Sequence, residues 1–309
     1  MKHRVDAPAR RAQPHAWLAV AITLGLAITP ALARSEGQWW GQEERNEHPE
    51  NAKFSKPSEI TNAWFPMKPG LRMTFEGTSV TDEGVTVKRR MQINVTDLTK
   101  VVGGVKSLVS YDLDWAKGGL VEAEIECLAQ DDDGNVWIMG EYPEEYDNGD
   151  GKITGNPCWF HGIDDAVAGI LVPANGATGT PSFSEGWGPK VEYNDRGRVD
   201  SVGVTVCVPV DCYKDAMVIA ESSADEVDAE QLKYYAKGVG NVSCRGRGAK
   251  DTEKQILLLT KVETLDAKGM EKLRATTLAL DKKARGRNKT YAKTSALEAP
   301  AAPAAPGSN

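Results

Sequence analysis

Four histidines occur in the chain, and once the N-terminal leader described below is set aside only His48 and His161 remain. Any imidazole-based mechanism must use one of these two. His161 stands in CWFHGIDD, beside Cys158, Asp164 and Asp165. Those residue types suit a Cys–His pair or a zinc site. Neither signature is complete: no G-x-S-x-G elbow accompanies the histidine, and Cys158 with His161 lacks the paired spacing of structural zinc. A half-exposed histidine on a loop beside aromatic residues is the preferred reading of the segment. Carboxylates are more plentiful, and Glu141 is the one with a positional argument. If Asp132-Asp133-Gly134 is a three-residue loop, Asp131 pairs with Asn135 and Ile125 lies opposite Glu141. Glu141 then shares an apolar face with Trp137 and Met139. With a two-residue loop the parity flips and Glu141 meets water. A carboxylate on a dry face has a raised pKa or a partner, either as an acid–base group of a hydrolase or lyase or as a hydrogen-bonded structural residue.

The stretch YDNGDGKI offers a second possible chemistry, calcium binding. Placing Gly151 at position 6 of an EF-hand-type loop puts Asp150 at position 5 and Asn148 at position 3. Position 1 is then Tyr146 and position 12 is Pro157, so the first ligand and the closing carboxylate are missing. Gly, Asn and Asp gather wherever a chain must reverse, and a turn is the reading preferred here. Asn148 and Asp150 remain candidates for a weak, open calcium site only; no metal and no cofactor is otherwise implied. The aromatic residues are spread over many segments and suit core packing. Trp137, Trp159 and Tyr235 are the candidates for a ligand-stacking surface.

These side chains lie behind an N-terminus that reads as an export signal. Lys2, His3, Arg4, Arg10 and Arg11 precede the apolar run AWLAVAITLGLAI, then Pro30 and Ala31-Leu32-Ala33. That order fits a cleaved signal peptide over residues 1–33, since the run falls short of the ~20 residues of a membrane span. The first cysteine is Cys127, so no lipid-modified N-terminal cysteine can form. The expected location is the periplasm or the extracellular space, with no stable membrane insertion after cleavage. A formal net charge of -7, interspersed along the chain, argues against nucleic acid as a partner. All five cysteines lie beyond the leader, where disulfides persist. Cys207 and Cys212 flank VPVD and could staple a hairpin; Cys127 and Cys158 are a second possible pair, with Cys244 left over. Sequence alone demands neither pairing.

The elements expected to position these residues are mostly strands. LRMTFEGTSV, VTVKRRMQINVTDL, GVKSLVSYDLDW, GGLVEAEIECLAQ, GNVWIMGEY, SVGVTVCVPV and KQILLLTKVETL are β-prone runs separated by Gly-containing turns. Val121, Ala123, Ile125, Cys127 and Ala129 alternate with Glu122, Glu124 and Glu126, predicting one dry face and one solvated face. Asp266 caps a helix whose Met270, Leu273, Thr277, Leu280 and Ala284 form an apolar stripe. A weaker helical stretch covers DAMVIAESSADEVDAE. The fold class is therefore mainly β: a large curved or partly closed antiparallel sheet with a C-terminal helix packed on it. The divisions are a signal peptide (1–33), a flexible lead-in (34–57), a single β-rich domain (58–285) and a disordered Ala/Pro tail (286–309).

Three segments carry a resemblance. ITNAWFPMKPGLRMTFEG resembles ITNPxFPLKPGTxWxYEG, LAQDDDGNVWIMGE is similar to WYAQDxDGNVWYxGE, and LKYYAKGVGNVS is similar to KYYAPGVGLV. These motifs mark a family of exported bacterial β-rich proteins with no established activity. The resemblance touches roughly half of the mature chain. Cys127 stands where the motif has Trp, and Cys158 replaces a small residue in a GSWxxG-like segment, which makes a bridge between the two attractive. The function expected from all this is an exported, non-enzymatic binding or carrier protein for a small or lipid-like ligand, of unknown oligomeric state. The alternatives are a secreted hydrolase or lyase using carboxylates, and a structural or assembly partner in the cell envelope with Cys244 as an intermolecular link.

Overall fold

A computed structural model describes residues 47–300 except 82, 148–150, 224–227, 250, 252 and 253. The signal peptide and the calcium candidates Asn148 and Asp150 lie outside the described residues. The strands in chain order are β1 (Leu71–Val80), β2 (Thr86–Val102), β3 (Val105–Ala116), β4 (Gly119–Gln130), β5 (Val136–Tyr146), β6 (Ile153–Gly155), β7 (Trp159–Phe160) and β8 (Val167–Val172). They continue with β9 (Phe183–Ser184), β10 (Gly186–Trp187), β11 (Arg196–Cys207), β12 (Cys212–Ser222), β13 (Glu230–Ala236), β14 (Gly240–Arg247) and β15 (Ile256–Thr264). Two helices follow, α1 (Ala267–Arg287) and α2 (Lys289–Ala292).

All pairings are antiparallel, in the order β10-β8-β5-β4-β3-β2-β1-β15-β14-β13-β12-β11-β9, with β6 and β7 also on β5. The two ends of this sheet meet through one short piece of chain. Ser184 pairs with Arg196 of β11, and Gly186 pairs with Ala168 of β8. Glu185 sits between them, its N–H donating to the Asp195 carbonyl. The sheet is thus a nearly closed barrel, which disposes of its edges by joining them. Gly169 makes this approach possible, since a Cβ there would fall 2.2 Å from the Glu185 backbone.

Residues 60–67 fold into one end of the barrel. Ile60, Trp64, Phe65 and Met67 join the interior cluster that holds Leu128, Ile138, Trp159, Tyr193 and Tyr235. The three motif segments converge here. Gln130 accepts hydrogen bonds from the amides of Thr61 and Asn62, and Asn62 donates to the Gly134 carbonyl. Gly238 N–H donates to Ala63, Phe65 meets Tyr235 edge-on at 6.0 Å, and Lys237 lies over the Trp64 ring.

Outside the barrel, α1 covers β3–β5. Asp266 caps it by accepting from Gly269, and Leu273, Thr277, Leu280 and Ala284 are buried as the stripe predicts. They share a cluster with Ala123, Ile125, Cys127, Ala129 and Tyr142. The dry face of β4 is therefore the outer face under the helix. The glutamate face, expected in water, lines the barrel interior, and Glu122 is only 8 % exposed.

Three further expectations change. DAMVIAESSADEVDAE contains no helix among its described residues; its first half belongs to β12, where Met217, Ile219 and Glu221 pair with Tyr235, Lys233 and Gln231. The tail expected from residue 286 is ordered as far as Pro300. Lys100, fully buried, donates to the Ser295 carbonyl at 2.6 Å, Lys293 pairs with Asp164 at 2.5 Å, and Glu298 bridges Thr99. Part of the lead-in is also tied down: Asp132 accepts from the backbone and hydroxyl of Ser55, and Phe54 meets Trp137 edge-on at 6.0 Å.

Candidate functional site

A cavity of about 220 Å³ occupies the barrel interior. Nine carboxyl groups line it: Asp112, Asp114, Glu122, Glu124, Glu126, Glu141, Glu185, Asp195 and Glu221. One ammonium group, that of Lys233, faces them. Phe65, Tyr193 and Tyr235 supply aromatic wall.

Register explains why so many acids meet. Asp112 pairs with Glu124 and Asp114 with Glu122 across β3 and β4; Glu126 pairs with Glu141 across β4 and β5. Paired residues share a face, so three adjacent strands present one acidic wall. The opposite wall comes from β12 and β13, where Ile219 pairs with Lys233 and Met217 with Tyr235. Glu185 enters from the barrel seam. Gly197 leaves room for its carboxyl group, because a Cβ there would lie 2.7 Å from Oε1.

Neighbours partner several of these acids. Arg89 forms a buried pair with Asp114, and Lys233 Nζ lies 2.5 Å from Glu221 Oε2. Glu185 is 2 % exposed and Glu221 6 %. Their two carboxyl groups hydrogen-bond each other in the cavity wall, a contact that needs a proton on one of them. Burial lifts Asp112 to about 7 against hydrogen bonds from Ser110 and the Asn94 amide, with Glu122 adding to the rise. Glu124 is raised well above the carboxylate range by burial and then by Glu141, Glu122, Glu126 and Asp112. Burial likewise raises Glu126, reinforced by Asp112 and Glu141 and opposed by Lys233. Burial and the Glu221 charge raise Glu185. Burial opposes the charge on Lys233, yet the facing acids, Glu221 first, carry its pKa up, so it stays an ammonium.

Of the residues singled out from sequence, Glu141 and Tyr235 line the cavity. Glu141 reaches it by an unexpected route. The loop does have three residues, and Asp131 does pair with Asn135. A bulge at Met139 then shifts the register, so that Leu128 faces Ile138 while Cys127 faces Gly140. Ile125 consequently lies opposite Tyr142, and Glu141 joins Glu126 rather than Trp137 and Met139. Trp159 is buried behind the cavity wall, stacked on Tyr193 at 4.8 Å between centroids. Trp137 belongs to the outer cluster, its indole N–H held by Asp131.

His161 is remote from the acids. Its Nδ1 accepts from the Ala168 amide, its ring lies against Gly103, and burial lowers its pKa. Asp164 is engaged by Lys190, Lys293 and Thr290 on the outer surface. No Cys–His–Asp constellation forms. Cys207 and Cys212 are bonded at the end of the β11–β12 hairpin. Cys127 and Cys158 are not: both are free, buried thiols in the outer cluster, with Cys127 pushed up to about 12 by burial. The expected bridge is therefore replaced by packing beneath α1. Cys244 is also free and lies in the cavity wall, 4 % exposed, which removes it as an intermolecular link.

Sequence reasoning missed Glu185, Asp195, Glu221, Lys233 and the acids of β3. The alternation of β4 and β12 held the signal, but nothing local told that the polar face would be enclosed.

No family model and no curated protein matches the chain. Among solved structures it is similar to a protein of Bacteroides fragilis assigned as exported, with a YmcC-like fold: TM-score 0.34, 12 % identity, covering 65 % of this chain and 99 % of that one. It is also similar to a protein of Parabacteroides distasonis assigned as a lipoprotein: TM-score 0.35, 10 % identity, with coverage of 65 % and 99 %. Among the described residues no helix is long and apolar enough to cross a membrane.

Proposed function

We propose that this chain is an exported, non-enzymatic binding protein that holds a small polar molecule inside the barrel. The observation that carries the reading is the partly open cavity with nine carboxyl groups on its wall. Such a wall suits a polar guest with hydrogen-bond donors or positive charge, and is a poor host for the lipid-like ligand also considered from sequence. Export is supported by the leader and by the disulfide at Cys207 and Cys212. The motif resemblance to exported β-rich proteins belongs to the same proposal.

Native mass spectrometry of the protein isolated from its own producing cells tests this. The expected result is a stoichiometric small passenger that disappears in Leu171→Trp, which fills the cavity wall. A passenger retained by that variant, or none at all in wild type, overturns the interior-binding reading.

One observation favours a second reading. Glu126 and Glu141 stand directly opposite each other, and burial raises Glu126, an arrangement that can serve as acid and base in a hydrolase or lyase. Turnover of a glycoside panel that vanishes in Glu141→Gln would establish it; no turnover across the panel by wild type excludes glycoside hydrolysis.

A further inference from the structure

The seam that joins the two ends of the sheet is its most lightly built part, and a pair of acids stands behind it. β9 and β10 have two residues each, and Glu185 is the single residue between them. On one side Ser184 pairs with Arg196 of β11; on the other Gly186 pairs with Ala168 of β8. The Glu185 N–H donates to the Asp195 carbonyl. Its side chain, 2 % exposed, turns inward to the carboxyl group of Glu221 on β12. The seam is therefore tied to a strand it does not pair with, through one contact between two acids.

That contact has a definite proton count. Two carboxylates have only acceptors to offer each other, so a hydrogen bond between them needs one proton. Lys233 on β13, with Nζ 2.5 Å from Glu221 Oε2, favours the ionised form of Glu221. The proton then resides on Glu185, which donates to Glu221. The other groups around Glu185 do not replace it. Asp195, on the loop entering β11, adds negative charge, and Tyr193 on the same loop supplies an aromatic ring. Arg196 at the start of β11 is bonded to Ser182. Glu141 on β5 lines the same cavity, and β8 carries no titratable side chain.

We propose that Glu185 and Glu221 form a proton-dependent latch that holds the barrel closed at the seam between β9 and β10. With the proton present, the hydrogen bond fastens the seam to β12. When Glu185 loses its proton to water, two carboxylates face each other across the contact, with Lys233 the one ammonium lining the cavity. Their repulsion acts on a piece of backbone held by two-residue strands, and parting it opens the side of the cavity that Glu185 forms. Burial and the Glu221 charge raise the pKa of Glu185. Closure is accordingly complete below the ordinary carboxyl range and is lost as pH rises through the raised value. The latch goes beyond the interior-binding reading and holds whatever the cavity contains.

Hydrogen exchange of the mature protein, read by mass spectrometry from about pH 5 to about pH 8 and corrected for the intrinsic pH dependence of amide exchange, tests the latch. Protection across β9 and β10 is expected to fall at least about tenfold more than protection across β2 and β3, because the seam opens locally before the barrel unfolds. Glu185→Gln keeps a donor toward Glu221 and has no proton to lose. Its seam is expected to remain protected at about pH 8, with the difference between seam and core strands gone. The wild-type series stands without that variant. A seam that loses protection only in step with β2 and β3, or a Glu185→Gln protein with the wild-type pH response, overturns the latch.

Discussion

At the residue scale, Asp131 shows how one carboxylate can make a motif look functional. Its oxygens accept from the Asn135 amide at 2.8 Å, the Asn135 side chain at 2.9 Å and the Trp137 indole at 2.8 Å. The DDDGNVW pattern is therefore a turn ligated by its own first acid. Asp131→Ala leaves three donors unpaired in a buried hairpin and is expected to cost about 3 kcal/mol in urea unfolding. The same hairpin marks the reach of sequence reasoning. Sequence located the turn at Asp132-Asp133-Gly134 but left its length at two or three residues, and it did not reveal the bulge at Met139 that decides where Glu141 points. Gly140 was the available sign: it has φ +151°, and a Cβ there would meet the Phe160 backbone at 2.7 Å.

At the scale of elements, local periodicity was readable and closure was not. β1 coincides with its sequence run, and α1 buries Leu273, Thr277, Leu280 and Ala284 of its stripe and half-buries Met270, since spacing along one element is a local property. The seam is built from two-residue strands with no periodicity to read. Its dependence on Gly169 yields a prediction. Gly169→Ala places a methyl group into the backbone of Glu185 and Gly186, and the pieces it would strike are main chain, which cannot rotate away. Overpacking of this kind costs about 2–3 kcal/mol. Hydrogen exchange should show protection lost first at the amides of Glu185 and Gly186. Exchange unchanged at these amides would mean that the barrel is closed by something else. The β11–β12 hairpin gives a contrasting case. Its disulfide closes a short loop, for which chain entropy predicts a loss of about 2 kcal/mol when both Cys207 and Cys212 become Ser, measured by thermal unfolding with and without reductant.

Across the whole molecule, alternation reveals that a strand has two unlike faces, but not which one a curved sheet will enclose. Here the apolar side of β4 is roofed from outside by α1, and the acidic side is folded inward, so both are buried. That inversion leaves a thermodynamic signature. Asp112, at about 7, and the raised Glu124, Glu126 and Glu185 hold protons in the folded state at pH values where the unfolded chain has lost them. Their stabilising contribution is complete below the ordinary carboxyl range and is lost as pH rises through the folded values. His161 opposes this, because burial lowers its pKa from 6.5 and the unfolded chain gains its proton first on acidification; it is one group against four. The pairs of Asp164 with Lys190 and Lys293 hold its pKa down, so their contribution fades only below the ordinary Asp range. The melting temperature should accordingly be higher at about pH 5 than at about pH 8, the reverse of a protein held together by paired surface carboxylates. Replacing Glu124 and Glu126 together with Gln should flatten that slope by raising stability at the alkaline end. A melting temperature that climbs steadily from about pH 5 to about pH 8 would show that the interior acids are ionised and paired in the folded barrel.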